Sequence, residues 1–113
     1  MSREIRIARL RAGEAVQYRE SGNSMRGLIG HRDLITCEPI ADYATLRPGD
    51  GLRSAVFCKV HGHYYTHLVK AVREHRGEDG AARFEFLIGN NRGGTNGWTT
   101  QDRVYGRVVR VEK

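Results

Sequence analysis

Ser24 sits in a Ser21-Gly22-Asn23-Ser24-Met25 turn that follows directly on a short run, Ala15 to Glu20, of strand-forming character. Gly22 frees the backbone at that point, so a serine just past a strand end can present its hydroxyl and its backbone N–H to a substrate carbonyl. A serine hydroxyl is a weak nucleophile and needs a base beside it. That base is either an imidazole, with an ordinary pKa of about 6.5, or a lysine desolvated until it loses its proton. The stretch Tyr64-Tyr65-Thr66-His67-Leu68-Val69-Lys70-Ala71-Val72 offers one of each, His67 and Lys70. Side chains alternate faces along a regular strand, so these two point to opposite sides and only one of them meets Ser24.

Two further clusters bear on chemistry. Phe86-Leu87-Ile88-Gly89-Asn90-Asn91-Arg92-Gly93-Gly94-Thr95-Asn96-Gly97-Trp98 is rich in glycine but has no closing Gly-Lys-Ser/Thr and no helical pattern after it. It is therefore no phosphate-binding loop but a tightly wound one, whose amides and hydroxyls bond the backbone and support adjacent groups. His61-Gly62-His63 with His67 lacks the spacing of a zinc site, and neither Cys37 nor Cys58 is placed to complete a tetrahedron, so no metal and no cofactor are expected. The two cysteines lie in apolar stretches without CxxC spacing. They read as small buried thiols of a reducing compartment, with a disulfide between them as the alternative.

The elements that must position these groups are mostly strands. Runs rich in Val, Ile, Tyr and Phe mark Ala15 to Glu20, Asp33 to Cys37, Ser54 to Val60, His63 to Arg73, Arg83 to Ile88 and Arg103 to Glu112. Between them fall the Arg47-Pro48-Gly49-Asp50 turn, the His61-Gly62 hairpin tip, the polar Glu74 to Gly80 and the glycine-rich Gly89 to Gly97. Residues 1–13 fit a short helix capped by Ser2 and ending before Gly13, or a strand in which Ile5 and Ile7 alternate with charges. These patterns predict a single mostly antiparallel β domain of strongly bent sheets, partly closed like a barrel.

At 113 residues, with 39% hydrophobic and 28% charged, the chain is one domain with a core sufficient to fold without disulfides or metal. The opening Met-Ser-Arg-Glu-Ile-Arg-Ile-Ala-Arg-Leu-Arg is too charged for a signal-peptide core and no window is long enough for a membrane span, so a soluble, cytoplasmic protein without a membrane partner is expected. The net charge of +6 permits nucleic-acid binding. Arg3, Arg6, Arg9 and Arg11 lack interleaved aromatics, however, and read first as a solvated face rather than a nucleic-acid stripe.

Taken in order, the motifs resemble the serine peptidase superfamily of signal peptidase I and the LexA-type self-cleaving repressors, over about four-fifths of the chain, Ala15 to Val111. Gly22-Asn23-Ser24-Met25 is similar to that family's Gly-x-Ser-Met box and Gly30-His31-Arg32-Asp33-Leu34-Ile35 to the stretch that follows it. Leu46-Arg47-Pro48-Gly49-Asp50 resembles its turn before the next strand, and Thr66-His67-Leu68-Val69 the strand of the general base. Gly89-Asn90-Asn91-Arg92 resembles its Gly-Asp-Asn-Arg box, and Tyr105-Gly106-Arg107-Val108-Val109 its closing strand. The resemblance implies Ser24 as nucleophile and His67 as base, or Lys70 if the strand register is shifted, with Met25 lining the substrate cleft and Asn91 and Thr95 bracing the loop behind the base.

The sequence departs from the family pattern at Gly27, where proline is usual, at Asn90, and at Gly97-Trp98, which stands in the place of an Asp-Ser pair that supports the base. Ala12-Gly13 is similar to the bond that LexA-type proteins cut in themselves, but the short segment before Ser24 makes a return to the serine sterically difficult, and the dipeptide reads as a helix end or turn. The resemblance implies a free-standing core domain of the kind carried by bacteriophages. Its function would be a soluble serine endopeptidase acting on an extended protein segment, and the alternative is an inactive binding or assembly module, a phage structural or regulatory protein.

Overall fold

The computed structural model describes residues 1–25 and 27–113. The amino terminus resolves to a helix, α1 (Arg3–Arg11). Ser2 Oγ accepts the Ile5 N–H at 3.2 Å, Glu4 lies in the first turn and Arg9 and Arg11 in the last, so the cap and the charges both favour a helix. Ile5 and Ile7 alternate as a strand would require, but the buried residues are Arg6, Ile7 and Leu10, which share one helical face while Ile5 is exposed. Ala12 caps the helix and Gly13, at φ 88°, turns the chain out of it.

Seven strands follow: β1 (Val16–Arg19), β2 (Leu34–Glu38), β3 (Ala55–Val60), β4 (His63–Arg76), β5 (Ala82–Gly89), β6 (Thr95–Thr100) and β7 (Val104–Glu112). They form one antiparallel sheet in the order β1-β2-β7-β3-β4-β5-β6. The mainly β architecture agrees with the alternating runs, but the partly closed barrel does not form: β1 and β6 are free edges of an open sheet. Strong bending is present all the same. Register shifts at Thr36/Cys37, Phe57/Cys58, Val69/Ala71 and Ile88/Gly89 each bend a strand locally. The far edge consequently curls back over the centre, and Thr99 Oγ1 on β6 donates to the Lys59 carbonyl of β3 at 2.7 Å.

β3 is the hub of both cores. Phe57 faces a cluster with Ile7, Leu10, Tyr18, Met25, Ile35 and Leu68, beneath α1, while Val56, Cys58 and Val60 face another with Leu46, Phe86, Ile88 and Val104. Burial on both faces explains why β3 is apolar at every position but Lys59. Cys37 and Cys58 are free thiols in this interior, and burial pushes the Cys37 thiol up to about 12. No helix among the described residues is long and apolar enough to cross a membrane.

Candidate active site

The edge strand β1 runs through Glu20 into the serine turn, which is pinned on either side of Ser24. Before it, the Glu20 carbonyl accepts the Arg32 N–H at 2.8 Å and the Gly22 N–H donates to His31 Nδ1 at 3.1 Å. Gly22 sits at φ 121°, a backbone conformation that side chains disfavour, as the turn requires. After it, the Met25 carbonyl accepts the N–H groups of Leu28 and Ile29, and the Met25 side chain is buried in the core under α1. Ser24 is thus an exposed residue between two anchored ones. Its hydroxyl opens onto a cleft of about 130 Å³ lined by Met25, Ile29, Tyr65 and His67 among others.

Within that cleft Ser24 Oγ lies 2.8 Å from His67 Nε2, and His67 Nδ1 lies 2.7 Å from Asn96 Oδ1. The amide oxygen of Asn96 accepts the Nδ1–H, which fixes the tautomer and leaves the Nε2 lone pair to receive the Ser24 O–H. His67 packs against the Tyr65 ring, 4.9 Å between centroids, and is buried. Burial lowers its pKa below the ordinary imidazole value, against the opposing pull of the Asn96 hydrogen bond and the Glu20 charge. The imidazole is therefore neutral at pH 7. A neutral, oriented imidazole touching an exposed serine is the arrangement that general-base activation requires.

Lys70 goes elsewhere. It stands at the β4 register shift, and its ammonium is engaged by the carboxylate of Asp50, from the turn after Pro48. Of the two, His67 is the one within hydrogen-bond distance of Ser24 Oγ. Behind Lys70, a Cβ on Gly89 would lie 2.4 Å from the Gly94 carbonyl oxygen and 3.0 Å from Lys70 Cγ, so only glycine lets the β5–β6 turn close there.

Behind His67 the chain makes the β5–β6 turn and then β6. Asn91 is half-buried in the β5–β6 turn and Thr95 is exposed at the start of β6, whereas the group that reaches the imidazole is Asn96. Asn90 instead organises the turn itself, its Oδ1 accepting the N–H groups of Arg92 and Gly94. Gly97 follows at φ 122° with His61 directly over it: a Cβ would lie 2.6 Å from His61 Nε2. This close approach seats β6 against the β3–β4 hairpin and carries Asn96 to His67. The residue that contacts His67 Nδ1 thus stands one position before Gly97-Trp98. Thr95, Trp98, Thr99 and Thr100 carried a strand signal that the neighbouring glycines masked.

His61 and His63 do not join His67, and the described residues contain no group of three or more His, Cys, Asp or Glu able to hold a metal. Arg6 is no part of a solvated face. It is buried, with its guanidinium 3.7 Å from the Tyr18 ring centroid and 4.8 Å from that of Phe57, and it reaches Glu20 at 3.4 Å. Glu20 accepts the Thr66 hydroxyl at 3.1 Å, and Tyr18 O–H lies 2.7 Å from Thr66 Oγ1. This polar chain runs beneath the cleft and fixes the strand residue next to His67.

Asn96→Ala removes an acceptor that favours the charged imidazole, so the His67 pKa falls further below its wild-type value. Titration of the His67 ring resonances by NMR checks this shift, in the absence of any substrate. No family model, curated protein or solved structure matches the chain.

Proposed function

We propose that the chain is a serine endopeptidase of the type its motif order resembles, with Ser24 as nucleophile, His67 as general base and Asn96 as the group that orients the base. The observation that carries the reading is the continuous Ser24 Oγ, His67 Nε2 and Nδ1, Asn96 Oδ1 chain at 2.8 and 2.7 Å. An extended segment adds alongside β1, a free sheet edge that leads directly into Ser24. Ser24 Oγ attacks the scissile carbonyl carbon while its proton passes to His67 Nε2. The backbone N–H of Ser24 is the first candidate donor to the developing oxyanion. The tetrahedral species collapses by breaking the C–N bond, His67 returning the proton to the leaving amine, and water activated by the same imidazole then releases the acyl group. A neutral amide suffices as third member, as in the Cys-His-Asn arrangement of papain-like proteases.

The neutral Asn96, in place of a carboxylate, also suits a second reading in which the same groove holds a partner without cutting it. Digesting a denatured peptide library with the full chain separates the two. New carboxyl termini that appear with wild type and vanish with Ser24→Ala are the expected result. Peptides retained by both proteins with none cut would overturn the peptidase in favour of the binding module.

A further inference from the structure

Beside the cleft of Ser24 lies a second basin of about 370 Å³, lined by Arg3, Arg6, Arg19, Arg32, Glu20, Ser21 and Tyr64. Three of these, Glu20, Ser21 and Tyr64, also line the cleft itself, so the two hollows adjoin. Four guanidinium groups face a single carboxylate, and that carboxylate is already engaged by Arg6 and by the Thr66 hydroxyl. Among the described residues, Arg3, Arg19 and Arg32 have no carboxylate within 4.0 Å, and all three are exposed. Arg3 lies over the Tyr64 ring at 5.1 Å, and Arg19 is held by a 2.7 Å hydrogen bond to the Arg32 carbonyl. Arg32 itself adopts φ 63°, a conformation that glycine or asparagine takes more readily. With Arg32 in that backbone conformation beside Arg3 and Arg19, none of the three paired with a carboxylate, the basin carries a surplus of positive charge.

We propose that this basin is a subsite of the same groove that takes an aspartate or glutamate side chain of the extended segment, on the side of the bound peptide that passes over Ser21 and Glu20. The inference rests on Ser24 being the reactive centre, and it sets a preference for acidic segments. A carboxylate there meets planar guanidinium donors from the helix, the β1 edge and the turn before β2, which gives geometric selectivity beyond bulk charge. Arg32→Gly is the informative variant, because glycine adopts φ 63° without strain while the side chain and its guanidinium are removed.

The test has two arms on the full chain. In the first, fluorescein-labelled capped peptide pools, matched except for Glu against Gln, are titrated by anisotropy into the Ser24→Ala protein at low salt. The Glu pool is expected to bind at least about 10-fold more tightly. That advantage should fall several-fold in Arg32→Gly and in Arg3→Gln but not in Arg76→Gln, a remote exposed arginine that controls for net charge. Equal affinity for both pools, or equal losses in all three variants, overturns the subsite. So does a single-stranded oligonucleotide that binds through Arg3 and Arg32 when the Glu pool does not. In the second arm, with Ser24 in place, its labelling by a serine-directed phosphonate is followed in wild type and in Arg76→Gln, and is expected to proceed equally in both. Absent labelling defeats the peptidase reading alone, since the first arm still decides the subsite.

Discussion

His67→Gln slows phosphonate labelling of Ser24 and any Ser24-dependent peptide hydrolysis by about 10²- to 10⁴-fold, the contribution of a positioned general base. Glutamine spans a similar length and keeps an amide within reach of both Ser24 and Asn96, so folding is expected to survive while proton transfer does not. Comparing second-order labelling rates with the urea midpoint checks both halves of this expectation. An unchanged midpoint with a collapsed rate assigns the loss to chemistry. The size of the effect follows from the geometry: the imidazole is buried, held neutral, and directed at the hydroxyl from 2.8 Å. Lys70, engaged by Asp50, offers no substitute base, and Lys70→Met is expected to leave labelling within about twofold because surface ion pairs contribute little.

Phe57→Ala is expected to destabilise the fold by about 3–5 kcal/mol, the usual cost of emptying a fully buried aromatic site. Phe57 is completely inaccessible to solvent and meets the rings of Tyr18, Tyr64 and Tyr105 at centroid distances of 5.6, 6.2 and 5.4 Å, with the Arg6 guanidinium above it. Its loss removes the surface on which α1 docks and weakens the cation–π contact that helps to compensate burial of Arg6. Native domains are stable by about 5–15 kcal/mol, so a large part of the total disappears. Urea denaturation followed by tyrosine fluorescence measures the change.

The strands were legible because each carries enough Val, Ile, Tyr and Phe, bounded by turn residues, to declare itself locally; β6 was not. The Gly-Gly before it and its own Asn-Gly read as loop, and the segment becomes a strand by pairing with β5 and seating Gly97 under His61, both long-range facts. Ser24 and His67 were legible as candidates from residue type and motif order. Their approach, across 43 positions of sequence, depends on the curl of the sheet. Asn96 was hidden for the same reason as β6: only the pairing of that strand brings its amide to His67 Nδ1. Arg6 shows the opposite failure: a charged residue among charged residues reads as surface, and only Tyr18, Phe57 and Glu20 converging from other elements make its burial tolerable. Closure of the sheet into a barrel was beyond the period-two pattern, which fixes faces but not whether edge strands meet.

The pH dependence of Ser24 labelling by a serine-directed phosphonate tests the proposed Ser24–His67 pair most directly. A base must be neutral to accept the serine proton, and burial holds the His67 pKa below its ordinary value of 6.5. The labelling rate is therefore expected to be full at neutral pH and to fall as the medium is acidified, with a midpoint below 6.5 that coincides with the His67 titration seen by NMR. Labelling that is absent in the folded protein, or that proceeds at the same rate in wild type and His67→Gln at every pH, would contradict it.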